Sequence, residues 1–192
     1  MELNSNYWES RYQKKEIGWD AGKITTPLKE YIDQLTNRDL KILIPGAGNG
    51  YEFDYLIQKG FNNIYVVDLA PTPLENILNR NTEFQKNIIQ SDFFKLNQKF
   101  DLIIEQTFFC ALNPNLRSNY VIKMHELLNP GGKIAGLLFN FPLTEEGPPF
   151  GGSVEEYKSL FSETFELKTL EKAYNSIKPR ANKELFFIFE KK

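Results

Sequence analysis

Cysteine is almost absent from this chain. Cys110 stands alone among 192 residues, so no internal disulfide can form and a cytoplasmic setting is expected. Histidine is equally scarce: His125 is the only one. A metal site of Cys and His ligands has nothing to be built from, and none is expected. Neither sign of charge is in excess, with 23 Lys and Arg against 25 Asp and Glu. Without a basic patch, nucleic acid is not an expected partner. No apolar stretch approaches the ~20 residues of a membrane-spanning helix, so no membrane association is expected. The polar start, Met1-Glu-Leu-Asn-Ser-Asn6, has neither the cationic nor the apolar region of a signal peptide. Internal repeats and low-complexity segments are missing. What remains is a chain that suits one domain with a sizeable core, residues 1–192, expected as a monomer.

The stretch that organises the chain is Ile42-Leu-Ile-Pro-Gly-Ala-Gly-Asn-Gly-Tyr-Glu52. An apolar run meets Gly46, Gly48 and Gly50, and a helical segment to Lys59 follows. This reads as a strand, a tight glycine turn and a helix. A ligand can lie against such a turn because no Cβ blocks its approach, and the helix N-terminus offers free N–H groups. A second apolar run, Ile64-Tyr-Val-Val67, ends in Asp68 with Leu69 behind it. An acid at the end of the second strand, roughly 20 residues past the glycines, is placed to accept from a ribose hydroxyl pair. The pattern is G-x-G-x-G rather than the G-x-G-x-x-G of dinucleotide binders, and Glu52 in the first helical turn would repel a pyrophosphate. It would tolerate a sulfonium and an ammonium, so the expected cofactor is S-adenosyl-L-methionine, leaving S-adenosyl-L-homocysteine. A nicotinamide cofactor and a purely structural turn are the other readings of this stretch.

The rest of the chain alternates. Strands are expected at 40–44, 63–68, 86–90, 100–105 and 133–139, with helices at 51–59, 72–80 and 114–128. Alternation of this kind implies a parallel sheet with right-handed crossovers. The last third differs: strands 165–174 and 185–190 are joined too closely to be parallel. The expected fold is therefore α/β, a Rossmann-like class I methyltransferase sheet of seven strands, mostly parallel, with an antiparallel C-terminal hairpin. Before the first strand stands an aromatic-rich helical segment, 1–35, which a doubly wound sheet does not need. Trp8, Tyr12 and Trp19 in it read as a cover over the cofactor, against the alternative of an extra helix packed on the sheet edge.

Ligands in open α/β sheets bind beyond the carboxyl ends of the strands. There the sequence presents the glycine turn, Asp68, and then Asp92-Phe93, an acid and an aromatic that suit an adenine; a turn or cap is the other role for Asp92. Phe108, Phe109, Phe139, Phe141 and Phe150 would line a mostly apolar pocket for a small-molecule acceptor, with several of them expected in the core instead. No catalytic residue is identified: His125 lies mid-helix, Cys110 reads as a small buried apolar residue, and no triad is visible. Methyl transfer from a sulfonium needs positioning above all. An apolar pocket favours attack of a soft anion, so a thiol, sulfide or halide is the expected acceptor class. An oxygen or nitrogen acceptor, and a module that binds the cofactor without catalysis, remain open at this stage.

These motifs resemble the thiopurine S-methyltransferase superfamily, and within it the plant-type halide and thiol methyltransferases. The likeness runs through Trp19-Asp20-x-Gly22 with Pro27-Leu28, the glycine turn, Val67-Asp68, Asp92-Phe93, Phe108-Phe-Cys-Ala-Leu112 with Arg117, Leu128-Asn-Pro-Gly-Gly132 and Gly147-Pro-Pro-Phe150. The resemblance implies cofactor contacts at Trp8, Tyr12, Trp19, Gly46, Asp68, Asp92, Phe93 and Gln106. Tyr12 stands where the plant-type enzymes have tryptophan. Gln106 stands where they have tyrosine and the thiopurine enzymes arginine. Phe139 falls near a tyrosine of the plant-type enzymes. Arg180 is the one cation expected near the acceptor pocket, beside Phe109, Phe139 and Phe150.

Overall fold

Proline and glycine set the helix boundaries in the first half of the chain. In the computed structural model, which describes residues 2–192, the chain divides into two compact units, Met1–Leu96 and Asn97–Lys192. The first unit contains α1 (Ser5–Gln13), α2 (Thr26–Asp33), β1 (Ile42–Pro45), α3 (Tyr51–Gln58), β2 (Ile64–Asp68), α4 (Pro71–Arg80) and β3 (Ile88–Gln90). Pro27 and Pro71 sit in the first turns of α2 and α4, where a missing N–H costs nothing. Gly50 caps α3 in the left-handed region, at φ 71°. A Cβ there would also stand 2.6 Å from Ile77, so only glycine lets α3 start so close to α4.

The three strands of this unit are parallel, in the order β3-β2-β1, with Ile42 opposite Ile64 and Val66 opposite Ile88. All four residues of β1 are buried, as expected for a parallel strand covered on both faces. Leu28 and Ile32 of α2, Phe53 and Leu56 of α3 and Ile77 of α4 are fully buried. At about 1.5–3 kcal/mol for each large apolar side chain removed from water, these contacts stabilise the unit. Helix α1 differs: none of its residues is buried.

The second unit contains β4 (Phe100–Gln106), α5 (Arg117–Leu127), β5 (Leu128–Phe139), α6 (Val154–Phe161), β6 (Phe165–Lys172) and β7 (Glu184–Lys191), in the strand order β4-β5-β7-β6. β4 and β5 are parallel, while β7 is antiparallel to both its neighbours. Leu128 pairs with Phe100 and Lys133 with Leu102, so the Asn-Pro-Gly-Gly segment loops out between them. Edge strand β6 carries four charged residues among its eight, all exposed, which discourages pairing with another chain.

Boundaries differ most from the sequence expectation at three places, the first being β5, which begins at Leu128 and not at 133. Asn113 does cap a helical turn, accepting from the N–H of Asn115, but that turn is a 3-10 segment at 114–116 and α5 begins only at Arg117. A tight first turn of this kind is common where proline leads a helix. Residues 82–87 are likewise a 3-10 segment, which shortens β3 to three residues.

Glu105 ties the end of β4 to the segment after it. It is fully buried. Oε1 accepts from the N–H groups of Phe108 and Phe109 at 2.8 and 3.0 Å, and Oε2 accepts from the Tyr120 hydroxyl at 2.7 Å. Around this group pack Phe109, Tyr120, Tyr157 and Phe161, with ring centroids 5.0–6.3 Å apart. Burial pushes the Glu105 carboxyl up to about 7, against the lowering effect of Tyr120 and the two N–H groups.

A carboxyl held above its unfolded value of 4.5 weakens folding as pH rises from that value to about 7, because only the unfolded chain gives up its proton in that window. Glu105→Gln, which keeps the shape, is expected to gain on the wild type by up to roughly 3 kcal/mol across that window. Urea denaturation of both proteins at several pH values measures this, and a pH-independent difference would reject it. Gly136→Ala should destabilise by at least about 2 kcal/mol, since its Cβ would lie 2.1 Å from the Glu105 carbonyl oxygen. A thermal midpoint equal to wild type would contradict that packing.

Candidate functional site

The glycine turn and Asp68, expected from sequence to bind the cofactor, collect where the strands of the first unit end. Gly46, Gly48 and Gly50 all have positive φ, 58°, 53° and 71°. Asp68, the last residue of β2, reaches this turn: Oδ2 accepts from the Gly48 N–H at 3.0 Å, and Oδ1 from Ala70 N–H at 2.9 Å. Burial raises the Asp68 carboxyl, opposed by these backbone donors and that of Leu69. An ionised carboxylate has about four acceptor positions, so the three backbone donors leave one for a ligand.

Helix α1 is fastened at the same strand end. The Ser5 hydroxyl donates to the Leu69 carbonyl at 2.8 Å, and Glu9 accepts from the N–H and hydroxyl of Thr72 at 3.0 and 2.5 Å. That brings Trp8, Tyr12 and Trp19 together: Trp19 lies edge-on to Trp8 at 5.5 Å and to Tyr12 at 5.7 Å. The Tyr12 hydroxyl lies beside Gly48, 3.0 Å from where a Cβ would stand. Its phenol is raised, first by burial and then by the charge of Asp68. Asp92 accepts from the Phe94 N–H at 2.9 Å, capping a short 3-10 turn, and the Phe93 ring is buried at 4% exposure.

One residue that ties the N-terminal loop to the glycine turn had no role assigned from sequence. Asp20 accepts from Asn49 Nδ2 at 2.5 Å, from the Tyr51 hydroxyl at 2.9 Å and from the Gly22 N–H at 2.6 Å. Arg80 steadies the same turn by donating to the Asn49 carbonyl at 2.6 Å. The turn therefore sits among Asp20, Asp68 and the buried Glu52. A pyrophosphate would meet three carboxylates there against the one guanidinium of Arg80. A sulfonium and an ammonium would meet favourable charge. The donor set fits S-adenosylmethionine.

In the second unit, a small, water-sized cavity opens at the carboxyl ends of β4 and β5. Thr107, Cys110, Leu137, Leu138, Phe139 and Glu184 line it. Thr107 has φ 58°, a left-handed conformation that costs a β-branched residue ~1–3 kcal/mol. The Glu105 bonds to Phe108 and Phe109 hold the segment in place around it. Cys110 is buried, and its thiol donates to the Thr107 carbonyl at 3.3 Å. Burial raises that thiol, with the Glu105 charge adding to the effect.

The sequence-expected pocket residues are distributed unevenly. Phe139 lines the cavity. Phe109 is in the core, 1% exposed, with the Arg117 guanidinium 4.8 Å over its ring. Phe150 is half-buried, and its N–H donates to the Cys110 carbonyl at 2.8 Å. Arg117 holds this loop by donating to the Gly151 carbonyl at 2.6 Å and to Glu156 at 2.5 Å. Gln106 ends β4, in register with Leu137 of β5. Arg180 is buried and pairs with Glu184 at 3.4 Å. His125 is half-buried on α5.

Of the six lining residues only Phe139 was expected from sequence; Thr107 and Glu184 are the polar ones that were missed, beside Cys110, Leu137 and Leu138. Glu184 opens β7 directly opposite Phe139, and only the hairpin register brings it there. An acid just before the apolar run 185–189 was its one visible signal.

Comparison with known proteins agrees with this architecture. A family model described as thiopurine S-methyltransferase (TPMT) matches residues 3–191. A probable thiol methyltransferase 2 of Arabidopsis thaliana is 29% identical over 165 residues, covering 83% of this chain and 73% of the relative. A thiopurine S-methyltransferase of Vibrio parahaemolyticus is 25% identical over 178 residues, covering 83% of this chain and 82% of the relative. Among solved structures, the Burkholderia thailandensis 1,6-didemethyltoxoflavin-N1-methyltransferase with bound S-adenosylhomocysteine superimposes with a TM-score of 0.76 at 17% identity, covering 97% of this chain and 86% of that one. Magnesium protoporphyrin IX methyltransferase of Synechocystis, solved with S-adenosylmethionine, gives 0.72 at 11%, covering 98% and 95%. At these identities the structural likenesses show the fold alone, the seven-stranded class I methyltransferase fold. No helix among the described residues is long and apolar enough to cross a membrane. The chain belongs to the thiopurine S-methyltransferase family and is an S-adenosylmethionine-dependent methyltransferase.

Proposed function

We propose that this methyltransferase acts on a small soft nucleophile: a thiol, sulfide, halide or thiopurine-like compound. The observation that carries this reading is the mostly apolar lining at the carboxyl ends of β4 and β5, Leu137, Leu138, Phe139 and Cys110, with Thr107 and Glu184 as its polar members. Sulfur and heavy halogen nucleophiles shed water at low cost, and a dry wall strengthens the attack of electron-rich sulfur on a cationic methyl donor. Relatives named for thiol and thiopurine methylation support the same class. In this reading residues 1–192 work as a single monomeric domain.

The first unit would hold the cofactor. Asp68 would accept from a ribose hydroxyl with the oxygen position its backbone partners leave over, and Leu69 would line the same strand end. Asp92 and Phe93 would serve the adenine. Gly46, Gly48 and Gly50 would let the methionine part lie against bare backbone. Trp8, Tyr12 and Trp19 would form the cover, a role supported by α1 having no buried residue of its own while being fastened to Leu69 and Thr72. When bound, S-adenosylmethionine supplies a methyl group on a positively charged sulfur. In the second unit, Phe139 and Phe150 would bound the acceptor, with Phe109 supporting them from the core, Arg180 acting through Glu184, and Gln106 at the end of β4.

Asp68→Ala should weaken S-adenosylhomocysteine binding by about ten- to a hundredfold, the worth of a hydrogen bond to a charged group, with the far-ultraviolet circular dichroism unchanged. Calorimetric titration measures it; wild-type affinity in the variant would remove Asp68 from the ribose. Purified protein given methyl-labelled S-adenosylmethionine and, separately, iodide, sulfide, thiocyanate, an aromatic thiol and a thiopurine should methylate at least one of them. Turnover of none, with cofactor binding established, would overturn the soft-nucleophile assignment.

A further inference from the structure

We infer that Asp20 is a positioning residue for the methionine part of the cofactor: it sets the glycine turn in its binding shape and joins that turn to the Trp19 side of the cover. This rests on the reading of the first unit as the cofactor's holder and deepens it. Asp20 is half-buried, and three neighbours use its carboxylate. Oδ2 accepts from Asn49 Nδ2 at 2.5 Å, the Tyr51 hydroxyl donates to both oxygens at 2.9 and 3.1 Å, and the Gly22 N–H donates to Oδ1 at 2.6 Å. These contacts fill the roughly four acceptor positions of a carboxylate, so Asp20 acts on a ligand through its neighbours and not by touching it. Burial, and then the bond to Asp20, push the Tyr51 phenol up to about 12, which keeps that hydroxyl a donor.

The glycine turn needs such a hold. Gly46, Gly48 and Gly50 all lie at positive φ, and glycine has little steric preference to keep it there. A turn that holds its binding shape only part of the time binds more weakly by that fraction. On one side β2 fixes the turn: the Gly46 N–H donates to the Val67 carbonyl at 2.8 Å, and the Gly48 N–H to Asp68 at 3.0 Å. On the other side the handle is Asn49, the one residue of 46–50 with a polar side chain. Asp20 holds its Nδ2, its Oδ1 accepts from Asn76 Nδ2 at 3.1 Å, and its carbonyl accepts from Arg80 at 2.6 Å. Arg80 is itself paired with Asp54 at 2.9 Å. Asp20→Asn would set one N–H group against another here, and Asn49 could turn its amide round only by giving up Asn76.

The same carboxylate carries the link to the cover. Trp19 precedes it in the chain and lies edge-on to Trp8 and Tyr12 at 5.5 and 5.7 Å. The Asp20 N–H donates to the Ile17 carbonyl at 2.9 Å, and its side chain accepts from Gly22, a residue at φ 69°. These two bonds fold the loop on either side of Trp19. Holding the turn through Asp20 therefore also holds the Trp19 ring, and releasing Asp20 loosens both. Trp8 and Trp19 are the only tryptophans of the chain, so its tryptophan emission reports on the cover.

The test compares S-adenosylhomocysteine with 5′-methylthioadenosine, which lacks the amino-acid part, on wild type, Asp20→Asn and Tyr51→Phe. By calorimetry, Asp20→Asn should bind S-adenosylhomocysteine about tenfold more weakly, and Tyr51→Phe several-fold more weakly, while both bind 5′-methylthioadenosine as wild type does. The change in tryptophan emission at saturating S-adenosylhomocysteine should be smaller in Asp20→Asn than in wild type. Equal losses for the two ligands would mark a general loosening of the unit and overturn the assignment. An unchanged affinity in Asp20→Asn, or an equal emission change, would overturn it as well. A loss in Asp20→Asn with none in Tyr51→Phe would make Asp20 a direct contact to the ammonium, which also rejects the positioning role. Should Asp20→Asn not fold, Tyr51→Phe decides alone by the same comparison of ligands. Wild type that binds the two ligands equally well would instead refute the reading that the glycine turn holds the methionine part.

Discussion

A carboxylate at the end of a strand, taken out of water and answered by backbone N–H groups, is the interaction on which the functional loops depend. Where a parallel strand stops, the chain loses its ladder partners and must satisfy its donors some other way. Asp68 does this for the first unit, bonding Gly48 and Ala70. Glu105 does it for the second, bonding Phe108 and Phe109. Each side chain fixes a turn that no regular structure would hold, and each is held up in pKa by the burial that makes it effective. The unusual backbone at Thr107 is stable because Glu105 restrains the residues that follow it.

Arginine does comparable work at longer range. Arg117 is buried, yet its guanidinium reaches Glu156 on α6 and the Gly151 carbonyl in the Pro- and Gly-rich loop, and it covers the Phe109 ring. A planar fork with several donors can join three elements at once, where a lysine would supply a single point charge. The Pro- and Gly-rich loop is thus anchored by Arg117 and by the Phe150–Cys110 backbone bond, not by apolar packing alone.

The N-terminal segment follows a different logic. It contributes no buried residue from α1, and it is attached through hydrogen bonds and edge-on aromatic contacts. Attachments of this kind open at lower free energy than a packed core, which is in keeping with the cover proposed for this segment. Asp20 couples its loop to the glycine turn, so occupancy of the turn and order in the loop share the same contacts.

The sequence by itself determined the elements and singled out the residues proposed to hold the cofactor. Local signals suffice there: a glycine turn, an acid closing the next strand, and proline-led helices all act within short stretches of chain. The cluster of Trp8, Tyr12 and Trp19 was visible too, because both tryptophans fall in a segment the sheet does not require. The acceptor half was decided by tertiary structure. Phe109 and Phe139 look alike in sequence, but Phe109 is enclosed by Tyr120, Tyr157 and Phe161, and Phe139 lines the cavity. Arg180 was legible as a cation near the end of the chain. What was not legible is that its partner Glu184, four residues on, stands opposite Phe139, a meeting made only by the antiparallel register of β5 and β7, which pairs residues 45 positions apart. Register across a sheet is set by the fit of both strands together, and no single stretch of sequence carries it.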